Sequence, residues 1–427
     1  MKQYREYLET NDQMPKRNAA YTEYHSIETI LTRVHSDILK NMDNQRVSLL
    51  VLLDLSAAFD TLDVNILQQI FQHKFKISGQ VSQWFQSYFT NRKQRILIKD
   101  VLSNEFDVKY GVPQGSCAGP VIFLSYLSSL YDLIAQYDVN VGGFADDNQL
   151  YISFKPNSES EAEALNEITN CIAAVRKWML QHKLKVNDDK TELIIIGGSK
   201  QLPKVSLDSI QVGECTVSPV QKVRNLGVIF DENLSMKDHV SNVCKKGFYQ
   251  LYRLRQVRKY FNRDTFEGLV HAFVTSHIDY GNAMLFGLPN VTMKKLERLQ
   301  NTAARLILNK SRRDSATEML KELHWLPVRY RILYKLSLLV FKCMNNIGPA
   351  YLKELLISKK APRTLRSTEL SLLGIPRVKT ETFGKRSFEY AAPHTWNSLP
   401  LHIRQSKDIT TFKKALRTHF FEQAFKF

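Results

Sequence analysis

The sequence predicts an α+β protein, with strands gathered in its first half and helices filling its second. Three observations carry this. Residues 48–55 form a continuous apolar run, as in the middle of a covered sheet. Residues 139–145 and 148–154 read as two strands, with Asp146-Asp147 at the turn between them. From residue 234 onward the apolar spacing is almost wholly helical.

Residues 1–20 are polar and without clear period, which predicts a poorly ordered terminus. Between 24 and 42, Ile27, Ile30, Leu31, Val34, Ile38 and Leu39 recur at helical spacing. Asp63 is placed to cap a helix running to about 76, and a short helix follows through Trp84 and Tyr88. Residues 95–99 and 105–109 predict paired strands with basic outer positions. Residues 120–136 predict an apolar helix, with Pro120 tolerated in its first turn. Acidic residues 159–167 open a helix ending near His182, their charge at the favourable end of its dipole. Residues 192–196 and 223–230 each predict a strand. Helices follow over about 236–260, 263–278, 291–310 and 326–346. Residues 358–407 are richer in Pro, Gly and basic residues and predict irregular chain. A last amphipathic helix covers about 408–422.

The chain has 427 residues and a net charge of +17, unevenly placed. Residues 231–427 hold 35 Lys and Arg against 16 Asp and Glu, whereas residues 1–230 hold 24 against 26. A near-neutral half joined to a strongly basic one suggests a polyanionic partner, most simply nucleic acid; a solvated basic surface is the alternative. The five cysteines are far apart and lack metal-ligand spacing, so neither a disulfide framework nor a zinc site is indicated. No signal peptide and no apolar run of membrane-spanning length is present, which predicts an intracellular protein of nucleus or cytoplasm, without a membrane partner.

Three segments place polar groups beside sequence that reads as buried. They are Leu50-Val-Leu-Leu-Asp54-Leu-Ser-Ala-Ala-Phe59-Asp60, Gly111-Val-Pro-Gln114-Gly115-Ser116 and Phe144-Ala-Asp146-Asp147. Taken singly, each Asp is more often a turn or cap residue, and the glycines are a turn. Phe59 alone is more often a core ring. Brought together, three carboxylates repel one another unless a cation sits among them. Hard divalent cations take such oxygen ligands, and a pair of them can clamp a phosphoryl transfer.

In this order the segments resemble the palm of reverse transcriptases, in particular those of non-LTR (LINE-type) retrotransposons of the jockey-like group. The likeness continues through Leu184-Lys-Val-Asn-Asp-Asp-Lys190, Asn225-Leu-Gly-Val-Ile-Phe230, His271–Tyr280, Leu323-His-Trp-Leu-Pro327 and Trp396-Asn-Ser-Leu-Pro400, so it covers nearly the whole chain. It implies a right-hand polymerase palm, an antiparallel sheet with helices, over residues 1–230. The fingers would be truncated, since the family's finger strands should precede residue 21. A mostly helical basic thumb over 231–350 and a basic extension over 351–427 would follow.

The implied activity is RNA-directed DNA polymerisation, adding deoxynucleotides to a primer 3′-hydroxyl on an RNA template with a DNA primer. Asp54 and Asp146 would be the principal ligands of two magnesium ions, with manganese as a substitute. The Leu55 carbonyl and Asp147 would complete the set. Phe59 would bar the ribose 2′-hydroxyl from the deoxynucleoside triphosphate, Gln114 and Gly115 would approach the incoming nucleotide, and Lys190 would neutralise the leaving pyrophosphate. A surface lysine before a strand is the equal alternative for Lys190. The competing function is a truncated or domesticated copy that only binds nucleic acid.

Overall fold

Helix α1 (Lys2–Thr10) buries Tyr4 and Leu8, one turn apart. The Tyr4 ring meets Phe71, Phe75 and Phe85 edge-on, and its hydroxyl lies 2.8 Å from Ser125 Oγ. Residues 17–19 then run beside Gly143: the Ala19 N–H donates to the Gly143 carbonyl at 2.9 Å, and the Gly143 N–H to the Arg17 carbonyl at 2.8 Å. The expected poorly ordered terminus is therefore corrected. A two-residue apolar anchor and a backbone strap hold residues whose composition alone is polar. The structure is a computed structural model that describes residues 1–56, 59–113, 115–187, 190–358 and 371–425, with the backbone alone at 55–56.

Helix α2 (Ile27–Asp43) starts at a capping box between Ser26 and Thr29. The apolar run splits at Asp54 into β1 (Val47–Leu53) and β2 (Leu55–Ser56). Asp63 accepts from the N–H groups of Asn65 and Ile66 to cap α3 (Val64–His73), and α4 (Gly79–Phe89) follows. The strands expected over 95–99 and 105–109 are replaced by nested ladders. Of β3 (Lys93–Gln94), β4 (Leu97–Ile98), β5 (Val101–Leu102) and β6 (Phe106–Asp107), β3 pairs with β6 and β4 with β5. Lys99 and Asp100 both take positive φ, so a two-residue turn closes 97–102 on itself.

Helix α5 (Gly119–Ile134) carries Pro120 in its first turn, where no intrahelical N–H bond is lost. After β7 (Asn140–Phe144) and β8 (Asp147–Phe154), α6 (Ser158–Gln181) begins with Asn157 accepting from the Ser160 N–H. Strands β9 (Lys185–Val186) and β10 (Glu192–Ile196) follow, then a hairpin of β11 (Ile210–Val212) and β12 (Cys215–Val217) beyond the expected strands. The single strand expected over 223–230 is a second hairpin, β13 (Lys222–Asn225) with β14 (Val228–Asp231). Leu226 and Gly227 both adopt positive φ between them, and the apolar Leu226 conceals that turn in the sequence.

The helical region holds α7 (Lys237–Val257), α8 (Arg263–Val270), α9 (Ser276–Asp279), α10 (Asn290–Leu308), α11 (Ala316–Glu322), α12 (Val328–Met344), α13 (Ala350–Lys353), α14 (Phe388–Asn397), α15 (Leu401–Arg404) and α16 (Ile409–Phe425). One helix was expected over 263–278. A π-helical turn at His271–Thr275 interrupts it, where the Thr275 hydroxyl bonds both the His271 ring and the His271 carbonyl. The irregular chain expected over 358–407 is corrected at α14, where Phe388, Ala391, Ala392 and Trp396 share a buried face despite the internal Pro393.

The elements group into two units. One comprises Met1–Glu23, Leu49–Ile194 and Lys204–Val220; the other Tyr24–Ser48, Ile195–Pro203 and Gln221–Phe427. The main sheet has the order β10-β1-β8-β7, and β7 pairs antiparallel with β8 so that Phe144 faces Asp147. Helix α6 packs on β8, and α5 on β7 and α6. Burial of Val121, Ile122, Phe123, Leu124, Tyr126, Leu127 and Leu130 makes α5 the centre of that unit's core. In the other unit, α10 packs on α7, and α12 on α14 and α16. Among the described residues, no helix is long and apolar enough to cross a membrane. The expected α+β class is what the chain adopts.

Candidate active site

Asp54 stands where the chain leaves the main sheet. Before it, β1 runs beside β8; after it, β2 turns aside to pair with β9, Leu55 opposite Val186. The Asn187 N–H donates to the Asp54 carbonyl at 2.9 Å, which fixes the bend. One carboxylate is thus held at the end of a central strand, with its side chain half-buried. Leu55 is placed by its backbone in the short β2–β9 ladder.

Asp146 and Asp147 lie on the neighbouring hairpin. Ala145 and Asp146 form its two-residue turn, with Ala145 buried at φ 58°. A non-glycine residue in that conformation is uncommon and needs support. Asn18 supplies it. The Asn18 Nδ2 donates to the Tyr131 hydroxyl at 2.7 Å and to the Ala145 carbonyl at 3.2 Å. Its Oδ1 accepts from the N–H groups of Ala145 at 3.2 Å and Ala20 at 2.9 Å. The Tyr131 hydroxyl donates in turn to Asn148 Oδ1 at 2.8 Å, and Asn148 Nδ2 to the Asp146 carbonyl at 3.0 Å. Gly143 lets this network close, because a Cβ there would sit 2.0 Å from the Tyr131 oxygen.

The electrostatics link the two strand ends. Burial, opposed by a backbone hydrogen bond and reinforced by Asp54, raises the Asp146 carboxyl above the usual range. Loss of surrounding water, then Asp146 and Asp54, push Asp147 up to about 6. Burial and Asp146 also raise the Tyr21 phenol. Lys190 Nζ lies 3.3 Å from Asp54 Oδ2 and stays mostly exposed. All-oxygen donors that repel one another suit a hard divalent cation, which would relieve that repulsion. Among the described residues, no three His, Cys, Asp or Glu side chains already converge as a metal cluster.

Phe59 is half-buried, stacked on Phe123 at 4.2 Å between ring centroids and 25° between planes, with Tyr21 edge-on at 6.4 Å. The Gly111 N–H donates to the Leu62 carbonyl at 2.8 Å, and the Val112 N–H to the Phe59 carbonyl at 3.0 Å, so the start of the glycine loop lies against the Phe59 segment. Gly115 has φ 81° and open space where a Cβ would point. Gln114 lies outside the described residues. Sequence reasoning missed Asn18, Tyr131 and Asn148. Asn18 stood in a stretch read as poorly ordered, and nothing in local spacing links these three positions.

The family model described as reverse transcriptase (RNA-dependent DNA polymerase) matches residues 2–230. The chain is 23% identical over 318 residues to the probable RNA-directed DNA polymerase from transposon X-element of Drosophila melanogaster, covering 70% of this chain and 32% of that protein. It is 22% identical over 236 residues to the RNA-directed DNA polymerase from mobile element jockey of Drosophila funebris, covering 54% of this chain and 25% of that protein. The chain therefore spans about a quarter to a third of the length of these relatives. Apo telomerase from Candida tropicalis aligns with a TM-score of 0.40 at 13% identity, over 82% of this chain and 54% of that one. The matched family segment takes in more than half of the chain and every carboxylate of the site above, and both relatives are named RNA-directed DNA polymerases of mobile elements: the chain belongs to the reverse transcriptase (RNA-dependent DNA polymerase) family.

Proposed function

We propose that this chain adds deoxynucleotides to a primer 3′-hydroxyl on an RNA template. The observation that carries the reading is the placement of Asp54 at a strand end adjoining Asp146 and Asp147, close enough for its charge to help raise both of their carboxyls. Asp54, Asp146 and Asp147, with the Leu55 carbonyl, would hold two magnesium ions, which would acidify the primer hydroxyl and neutralise the triphosphate. The protein's own contribution is positional. The Asn18 network fixes the hairpin that presents Asp146. Phe59, braced on Phe123, stands five residues beyond Asp54 as the sugar gate, favouring deoxynucleotides by collision with a ribose hydroxyl. Lys190 brings a cation to Asp54, where leaving pyrophosphate would need one. Gly115 permits a close backbone approach on the nucleotide side.

The test is primer extension on an RNA template with magnesium or manganese. The parent protein should extend the primer. Asp146→Asn should lose extension by about a hundredfold or more, as expected for removal of a group that stabilises developing charge, while binding template–primer about as well as the parent. A parent protein that binds template–primer yet extends none, with either ion, would leave only the binding function.

A further inference from the structure

A pocket of about 550 Å³ lies wholly within the unit that holds the helical region. Two segments noted in the sequence meet there. His271 and Asp279 come from His271–Tyr280, and Leu323, His324, Trp325 and Leu326 from Leu323–Pro327. The polymerase chemistry proposed above uses neither segment. The π-helical turn begins at His271, and such turns recur at functional sites. One stripe of α12 forms a wall: Arg331, Tyr334, Lys335 and Leu338, at i, i+3, i+4 and i+7, are each half-buried. Lys413 and Arg417 of α16 close the lining.

Much of this charge is already paired. Arg331 donates to both carboxylate oxygens of Asp279. Lys335 meets Glu28 at 2.8 Å. Glu267 Oε1 accepts from Trp325 Nε1 at 2.9 Å and lies 3.5 Å from His271 Nε2. Three groups are left over. Lys413 has no hydrogen bond or ion pair among the described residues. Arg417 donates to the His324 carbonyl at 3.0 Å but has no carboxylate partner among them. These two exposed cations stand at i and i+4 on one helix face and repel each other. Their field reaches inward: burial, then Lys413 and Lys335, lower the Lys342 ammonium below its ordinary range. The third group is Asn282, which is 2% exposed. Its Nδ2 donates to Asp279 at 3.3 Å, but its Oδ1 accepts from nothing among the described residues.

We infer that this pocket binds a small phosphate monoester that carries sugar hydroxyls, its phosphate on Lys413 and Arg417 and its hydroxyls on Asn282 and Glu267. Four Lys and Arg side chains line the pocket against two carboxylates. That excess matches a phosphate monoester, which bears about −1.5 to −2 at pH 7, whereas a carboxylate would neutralise half of it. The Glu267 carboxylate and the Asn282 Oδ1 can only accept, so the other end of the ligand donates, as ribose hydroxyls do to acidic residues in nucleotide sites. The volume falls in the range of small-molecule sites. Sugar phosphates and nucleoside monophosphates share this chemistry.

The test is isothermal titration calorimetry of the full-length protein in EDTA, which silences magnesium-dependent chemistry. The probes are ribose 5-phosphate, adenosine 5′-monophosphate, ribose and inorganic phosphate. Ribose 5-phosphate should bind roughly tenfold tighter than ribose or inorganic phosphate, since each end adds hydrogen bonds. Tighter binding of adenosine 5′-monophosphate assigns the site to a nucleotide, and equal or weaker binding to a sugar phosphate. Lys413→Glu combined with Arg417→Glu should weaken ribose 5-phosphate binding roughly tenfold or more. Arg312→Glu combined with Arg313→Glu makes the same change of charge at exposed positions outside the pocket and should shift binding less than about twofold at physiological salt. Asn282→Ala should cost roughly tenfold for ribose 5-phosphate and less than about twofold for inorganic phosphate. A circular dichroism melt checks each fold, and the exposed α16 pair decides the matter if Asn282→Ala does not fold. No binding of ribose 5-phosphate, equal affinity for inorganic phosphate, or equal losses from the two charge reversals would overturn the site.

Discussion

Phe59 is a ring that packing braces on one face only. One face of its ring is taken by Phe123, which fixes the ring's orientation, yet the residue stays half-exposed. A ring that served only the core would be covered on both faces. Phe59→Ala should relax discrimination against ribonucleotides by about tenfold, since a single steric clash is worth 1–3 kcal/mol, while deoxynucleotide incorporation stays measurable. The measurement is the ratio of incorporation efficiencies for matched ribo- and deoxynucleoside triphosphates. Unchanged discrimination in a folded, active variant would assign Phe59 to the core.

At the scale of elements, the strap of residues 17–20 does for the β7–β8 hairpin what a further strand would do. It bonds the free edge of β7 through Gly143 and, through Asn18, both backbone groups of Ala145. A two-residue turn with a left-handed alanine would otherwise relax and carry Asp146 with it. Asn18→Ala orphans the N–H groups of Ala20 and Ala145 in a buried setting. It should cost about 2–6 kcal/mol of stability, at about 1–3 for each unpaired donor. Extension should fall roughly tenfold to a hundredfold, because misplacement by about an ångström carries such a penalty. Thermal melts and primer extension on the same preparation check both numbers. Extension at the parent's rate would show that the strap does not position Asp146.

Across the whole molecule, stability should depend on pH through buried histidines. His35 and His239 are both nearly inaccessible. Burial, with Arg386 nearby, holds His35 well below its ordinary value; burial, with Lys246, lowers His239 to about 4. The unfolded chain binds a proton at each near pH 6.5, where the folded one does not, so stability is present above that pH and is lost as pH falls toward the folded values. Between pH 7 and 5, His239 alone should account for a loss of about 2 kcal/mol. Asp147 acts with the opposite sign: raised to about 6, its contribution is present below the ordinary carboxylate value and lost as pH rises through 6. Solvent exposure keeps that offset smaller. Urea midpoints at pH 7 and 5 read the net effect, and His239→Gln should remove part of it. A flat midpoint over that range would refute the buried-neutral assignment.

The sequence by itself determined the class and most helices, because these depend on local rules. Apolar spacing marked α2, an apolar stretch opening at Pro120 marked α5, acidic residues at the favourable dipole end marked α6, and the Asp63 cap marked the start of α3. Where the local rules failed, a nonlocal partner or an unannounced backbone conformation had won. Leu226 and Lys99, residues that seldom take positive φ, do so at the first turn position, so one hairpin reads as a straight strand and the other as misregistered strands. Residues 1–20 were read as loose because their order comes from Phe71, Phe85, Ser125 and Gly143, more than fifty residues away in the chain. Only the tertiary structure decided that Asn18 and Tyr131 hold the hairpin of Asp146, and that Lys190 stands against Asp54. Spacing along a chain can announce a carboxylate, but the field that shifts it comes from groups brought near by folding.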